Sequence, residues 1–219
     1  MAKYPVVVYG ASGYTGMLIM DWLIDQQIPF TAVARNAKRV QEMMAERVVR
    51  LESATYEIIE AEHNVAALTQ AFKGARVVCN TVGPFVNFGL TTVEAALEAG
   101  CHHIDTTGEQ GYIRSVRDRF GDLYAQAGLL VAPSTAYMYT FAEIAAELAL
   151  ETRGIDALET ATLCRGQRGG ASGVTVGSTA SIFELYRQEA CYLWEKQLVP
   201  YPAGTTANVI DPGFVQPVF

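Results

Sequence analysis

Val6-Val7-Val8-Tyr9-Gly10-Ala11-Ser12-Gly13-Tyr14-Thr15-Gly16 is the stretch on which the reading of the fold turns. Val6–Tyr9 is a short apolar run without helical spacing, the pattern of a strand buried on both faces of a parallel sheet. Three glycines follow at GxxGxxG spacing. Thr15 to Gln26 then reads as a helix, with Met17, Leu18, Met20, Trp22, Leu23 and Ile24 as its apolar residues. Strand, glycine turn and helix make the dinucleotide-binding arrangement. Gly10 permits the tight turn, Gly13 the close approach of backbone to a pyrophosphate, and Gly16 the packing of helix on strand. Ala11, Ser12, Tyr14 and Thr15 fill the loop around the helix start, whose free N–H groups and positive dipole end suit phosphate. A glycine triplet also suits a turn that holds no ligand, so the residues after the second strand carry more weight.

Phe30 to Ala34 reads as that second strand and ends at Arg35-Asn36. An NAD-specific fold places an acidic residue about 20 positions past the glycines, to bind the ribose 2′-hydroxyl. Here Arg35 stands 19 residues after Gly16, followed by Lys38 and Arg39. A planar guanidinium binds two oxygens of the extra 2′-phosphate of NADP at once. A cluster of solvated cations is the bland reading, and it is disfavoured at a helix N-terminus by the dipole. NADP is therefore expected over NAD.

The alternation continues. Asn36 caps a helix through about Val48, Thr55–Glu60 is a less buried third strand, and Asn64 caps a short helix to Phe72. Arg76–Thr81 is the fourth strand, running into Val82-Gly83-Pro84, so Asn80, Thr81, Val82, Gly83 and Pro84 fall just beyond a strand's carboxyl end, where open α/β sheets bind ligands. Leu90–Ala99 is a helix, Cys101–Asp105 the fifth strand, Tyr112–Gln126 a helix, Leu129–Ala132 a sixth strand and Thr140–Thr152 a helix capped by Thr140. Asp105 and Glu109 share one carboxyl edge, while His102 and His103 point to opposite strand faces, one buried and one exposed or near the cleft. The expected architecture is a Rossmann-type, doubly wound parallel α/β sheet with helices on both faces.

Composition narrows the function classes. The formal charge is −7, half of the residues are hydrophobic and 18% are charged, which disfavours a nucleic-acid surface and supplies an ample core. No apolar run approaches the ~20 residues of a membrane span, and the N-terminus enters the first strand almost at once, without a signal peptide. A soluble, cytoplasmic protein is expected. Cys79, Cys101, Cys164 and Cys191 are widely spaced, with Cys79 and Cys101 expected as inert core thiols, and no metal site is expected with His63, His102 and His103.

Three blocks together carry a family resemblance: Gly10–Gly16, then Cys79-Asn80-Thr81-Val82-Gly83-Pro84-Phe85, then His102-His103-Ile104-Asp105-Thr106-Thr107-Gly108-Glu109. In order and distance they resemble the saccharopine dehydrogenase-like oxidoreductases, which include the trans-acting enoyl reductases, over roughly residues 5 to 150. The resemblance implies an NAD(P)-binding domain, about residues 1–154, then an α+β substrate and dimerisation domain. It assigns Gly10, Ser12, Gly13, Tyr14 and Thr15 to the phosphates, Asn80 to Pro84 to the cofactor, and Asp105, Gly108 and Glu109 to the active-site edge.

The chain departs from the family twice. Ala136–Glu143 replaces the usual Gly-x-Asp-Ser-x-Pro-x-Asp stretch, and the chain is shorter than family members. Residues 155–219 are expected as a reduced or incomplete domain: a strand at Leu158–Arg165, a Gly169–Ser178 loop, and a helix to about Lys196. The shortness implies a fragment, or a homodimer or other partner chain that completes the domain.

The expected function is an NADP-dependent oxidoreductase, transferring hydride to or from a small organic substrate with a C=C or C=O bond. Phe85, Phe88, Tyr137, Met138, Tyr139 and Phe141 cluster in expected loops; they suit an apolar substrate or packing between domains. Catalytic candidates by position are Glu109, Asp105, Tyr112 and His103, with Tyr137 a further proton donor. Tyr192 and Lys196 would share a helix face as in short-chain dehydrogenases, but they fall two elements too late. The alternative from another class is a non-catalytic NADP-binding redox sensor or interaction module.

Overall fold

The computed structural model describes residues 1–48, 50–155, 158, 176–187, 190–195 and 197–201. β1 (Val6–Tyr9) lies inside a six-stranded parallel sheet with β2 (Phe30–Ala34), β3 (Tyr56–Glu60), β4 (Val77–Asn80), β5 (His102–Asp105) and β6 (Val131–Ala132). The strand order is β3-β2-β1-β4-β5-β6. Between successive strands run α1 (Tyr14–Asp25), α2 (Ala37–Arg47), α3 (Val65–Phe72), α4 (Phe85–Glu98) and α5 (Gln110–Gln126). The order reverses between β1 and β4, leaving a crevice at their carboxyl ends. In register, Tyr9 stands beside Val33 on one side and Asn80 on the other, and Asn80 stands beside Asp105.

All five residues of β2 are buried, which explains an apolar run without alternation. β1 splits its side chains between two cores. Val7 and Tyr9 join Leu68, Phe72 and Val78 on the α3–α4 side; Val8 joins Met20, Leu23, Phe30 and Met44 on the α1–α2 side. A third core of Phe85, Val93, Tyr112, Val116, Phe120 and Tyr124 joins α4 to α5. Asn36 and Asn64 cap α2 and α3, their Oδ1 atoms each accepting a backbone N–H at 2.9 Å, from Arg39 and Ala67.

Several boundaries differ from the sequence reading. α4 begins at Phe85 rather than Leu90 because a distant carboxylate satisfies its first N–H groups, a partner that local sequence does not show. Phe85 and Phe88 are therefore helical, not loop residues. α6 (Tyr137–Leu150) begins before Thr140, with Ala136 at its N-cap position and no side-chain cap, so Tyr137, Met138, Tyr139 and Phe141 are helical too.

α7 (Val176–Arg187) stops short of the expected Lys196. β7 (Ala190–Trp194) and β8 (Gln197–Tyr201) instead pair antiparallel. Aromatic and branched residues on both sides favour strands, and Glu195, at φ +48°, turns the chain between them. Tyr192 therefore stands in a strand rather than on a helix, and Lys196 lies outside the described residues. The expected strand at Leu158–Arg165, apart from Leu158, and most of the Gly169–Ser178 loop lie outside the described residues.

α6 buries little. Phe141, Ile144 and Leu148 are 68%, 52% and 61% exposed, and the residues half-buried along that helix are chiefly alanines.

Candidate dinucleotide site

Gly10 closes β1 at φ +90°, a conformation that favours glycine, and a Cβ there would lie 2.5 Å from Thr81 Oγ1. The N–H groups of Gly10 and Ala11 both donate to Val33 O. Gly13 N donates to Gly10 O at 2.8 Å, which folds the loop back on itself. A Cβ on Gly16 would come within 2.4 Å of that same Gly10 carbonyl, so helix and turn meet at a distance only glycine allows. Gly13 is the N-cap residue of α1 and offers no side chain. Among the described residues, the N–H groups of Ser12, Tyr14, Thr15 and Gly16 have no acceptor. No acidic residue sits in the first turn of α1. Four unsatisfied donors, a positive dipole end and a turn with glycine at positions 10, 13 and 16 fit a pyrophosphate.

β4 forms the opposite wall. Thr81 donates twice to Tyr9 O, from its N and its Oγ1, both at 2.9 Å. Val82 N donates to Asn80 Oδ1 at 3.0 Å, while the buried Nδ2 of Asn80 has no partner among the described residues. The peptide bond between Gly83 and Pro84 is cis. Asn80, Thr81, Val82, Gly83 and Pro84 thus follow one another along the crevice, with Thr81 and Val82 against Gly10.

Arg35 lies exposed at the end of β2, with no ion pair among the described residues. Beside it is a cluster the sequence reading missed. Tyr9 Oη and His63 Nδ1 are 2.7 Å apart and the rings stack with centroids 6.1 Å apart, while Phe88 meets His63 edge-to-face with centroids 5.2 Å apart. Burial pushes the Tyr9 hydroxyl up to about 12, against the lowering effect of Arg35. Burial and then Arg35 lower His63. The three residues come from β1, the loop after β3 and α4, so no local motif announces them. Lys38 pairs instead with Glu42 at 3.7 Å on the exposed face of α2, and Glu60 Oε2 accepts Ala37 N at 2.9 Å.

The four catalytic candidates come together, but beneath the crevice edge. Glu109 is fully buried, its two oxygens accepting from Phe85 N at 2.9 Å and Val86 N at 2.7 Å. Asp105 accepts from Tyr112 Oη at 2.7 Å, Thr107 N at 3.0 Å and Ser134 N at 3.1 Å. Burial raises Asp105 despite these donors. Burial, then the Asp105 charge, drives the Tyr112 hydroxyl far above its usual value. His103 is wholly buried, its two ring nitrogens without a hydrogen-bond partner among the described residues, 3.9 Å from Asp105, and burial lowers it to about 3. His102 is only partly buried and its Nδ1 accepts Leu130 N at 2.9 Å. Asp105 and Glu109 thereby tie the β5–α5 loop to α4, α5 and the segment after β6.

Gly89 makes room for Tyr112, whose ring would lie 2.3 Å from a Cβ there. Burial raises the Cys79 and Cys101 thiols to about 11, in keeping with inert core cysteines. No helix among the described residues is long and apolar enough to cross a membrane.

Strand order, switch point and glycine turn define a Rossmann dinucleotide-binding domain. Residues 10–158 match the NAD(P)H-binding family model, and the chain belongs to that family. Residues 140–217 match a family of unknown function. A lipid droplet localized protein of Caenorhabditis elegans is 28% identical over 144 residues, 63% of this chain and 34% of the relative. A Mycobacterium tuberculosis protein provisionally named trans-acting enoyl reductase is 27% identical over 186 residues, 82% and 44%. A human saccharopine dehydrogenase-like oxidoreductase is 26% identical over 147 residues, 61% and 34%. The chain thus spans between a third and under half of these relatives. Saccharopine dehydrogenase from Saccharomyces cerevisiae superposes with TM-score 0.53 and 13% identity, over 96% of this chain and 48% of that one, which supports the fold.

Proposed function

We propose that the chain is the cofactor-binding part of an NADP-dependent oxidoreductase, moving a hydride to or from a small, apolar organic substrate with a C=C or C=O bond. The observation that carries this is the set of unsatisfied N–H groups of Ser12, Tyr14, Thr15 and Gly16 over a glycine turn that leaves no room for a Cβ. Relatives named as an enoyl reductase and as saccharopine dehydrogenase-like oxidoreductases support the reaction class.

Gly10 to Gly16 hold the pyrophosphate, Arg35 the 2′-phosphate, and Asn80 to Pro84 the nicotinamide half. The bound dihydronicotinamide supplies the hydride; the protein aims it, excludes water and provides a proton. Asp105, Glu109 and Tyr112 act by holding the β5–α5 loop in position. Residues 1–154 form the cofactor domain, and 155–219 begin a substrate domain completed by more chain or by a homodimer partner. The proposed location is the cytoplasm.

The test is a titration with NADPH and NADH, followed by nicotinamide fluorescence. NADPH is expected to bind more tightly, and Arg35→Ala to weaken it by about tenfold or more with NADH unchanged. Absence of binding by either nucleotide would overturn the assignment. Equal loss for both nucleotides would remove Arg35 from the 2′-phosphate.

A further inference from the structure

The proposed reaction needs an acid at the nicotinamide end, and the four candidates of the β5–α5 region are committed elsewhere. Both carboxylates accept backbone N–H groups, Tyr112 donates to Asp105, and His103 is sealed in the interior. Two other hydroxyls reach the crevice from elements beyond the sheet. Tyr139, on α6, brings its Oη to 2.9 Å from where a Cβ on Gly108 would stand. Ser181, on α7, brings its Oγ to 3.4 Å from the corresponding point on Gly83.

Gly83 and Gly108 lie in the loops that follow β4 and β5, whose last residues, Asn80 and Asp105, are register partners. Both hydroxyls therefore arrive at the carboxyl edge on the β4–β5 side of the switch point, across from the glycine turn and Arg35. Tyr139 is 39% exposed, and its hydroxyl has no hydrogen-bond partner among the described residues. It sits at the edge, in contact with water, without a structural task for its proton.

We propose that Tyr139 is the proton donor of the hydride transfer, seated on Gly108, with Ser181 as a second hydroxyl orienting the substrate oxygen. This rests on the cofactor assignment above. NADPH is the reductant: the substrate carbon accepts hydride with its electron pair, and the π pair of the C=O, or of the conjugated C=C–C=O, moves onto oxygen. The Tyr139 O–H bond breaks, its proton goes to that oxygen, and the phenolate recovers a proton from water at the open edge. The absence of a Cβ at Gly108 is what lets the phenol lie against the loop.

The experiment follows ring-labelled tyrosine by 13Cζ NMR against pH, with Tyr139 assigned by its loss in Tyr139→Phe. Spectra are taken free, with NADP⁺, and with 2′-phospho-ADP-ribose, which lacks the nicotinamide. A cationic nicotinamide beside the phenol favours its ionised form. NADP⁺ is expected to move the Tyr139 13Cζ resonance, 2′-phospho-ADP-ribose to leave it in place, and Gly108→Ala to diminish the change by displacing the hydroxyl. Tyr139→Phe should retain NADPH affinity within about twofold, since the ring stays. Saturating NADP⁺ with an unmoved Tyr139 resonance would overturn the proposal and leave the cofactor site standing. Failure of NADP⁺ and 2′-phospho-ADP-ribose to bind at all would overturn both.

Discussion

The carboxylate of Glu109 receives the backbone N–H of Phe85 at 2.9 Å, across 24 residues of chain. With Val86 N on its other oxygen, a side chain from the β5–α5 loop closes the amino end of α4, where Pro84 offers no side-chain cap. Glu109→Ala leaves one buried and one partly buried donor without an acceptor and is expected to cost about 2–4 kcal/mol in denaturant unfolding. Glu109→Gln keeps one acceptor and should lose about half as much. An unchanged midpoint in Glu109→Ala would show that water or a rearranged loop replaces the carboxylate.

His103 sets a direction for acid sensitivity. Its folded-state value, about 3, lies below the ordinary 6.5, so the unfolded chain binds the proton first. The stability it allows is intact above pH 6.5 and falls as pH drops toward 3, by at most about 1.4 kcal/mol per pH unit. Asp105, raised by burial, works the other way, so the two are separated by comparing the wild type with His103→Leu. The stability difference between them should shift in favour of the variant as pH falls from 7 to 4. A difference that stays constant over that range would rule His103 out as a source of acid sensitivity.

Gly16→Ala tests the cradle. The new methyl would stand 2.4 Å from Gly10 O and 3.0 Å from Ala11 Cα, both backbone, so the turn must move. We expect a loss of about 1–3 kcal/mol in stability and weakening of NADPH and NADH alike, because the pyrophosphate is common to both. Selective loss of NADPH alone would contradict that placement.

Gln110 makes a testable clamp. Its side-chain amide donates to Cys191 O at 3.1 Å and accepts Cys191 N at 2.7 Å, tying α5 to the β7–β8 hairpin as a neighbouring strand would. In Gln110→Ala, hydrogen exchange at the Cys191 amide should accelerate by about tenfold, with exchange in β1 unaffected. Acceleration throughout the sheet would mean that the hairpin belongs to the same folding unit as the Rossmann core.

Local chemistry made much of this legible. The valine run of β1, the glycines at 10, 13 and 16, and the asparagine caps at 36 and 64 each depend on neighbours within four residues. The strand pattern also put Asn80 and Asp105 near the carboxyl ends of β4 and β5. What sequence hid was long-range. Glu109 looked catalytic because its partners, Phe85 and Val86, come from another element. The start of α4, the Tyr9–His63–Phe88 stack and the Gln110–Cys191 clamp depend on the same kind of distant pairing. Tyr139 was grouped with loop aromatics because α6 lacks a side-chain cap to mark its start.

The outward side chains of α6 bear on where the chain can be cut. Residues 140–158 fall within both family matches, and Phe141, Ile144 and Leu148 line one exposed flank of that helix. A fragment ending before Tyr137 would give up the phenol that rests on Gly108. One ending after Leu150 would carry an uncovered greasy ridge into solvent, a surface that invites aggregation. α6 is best treated as a party wall, and useful fragments of this chain would keep it together with whatever leans on its far side.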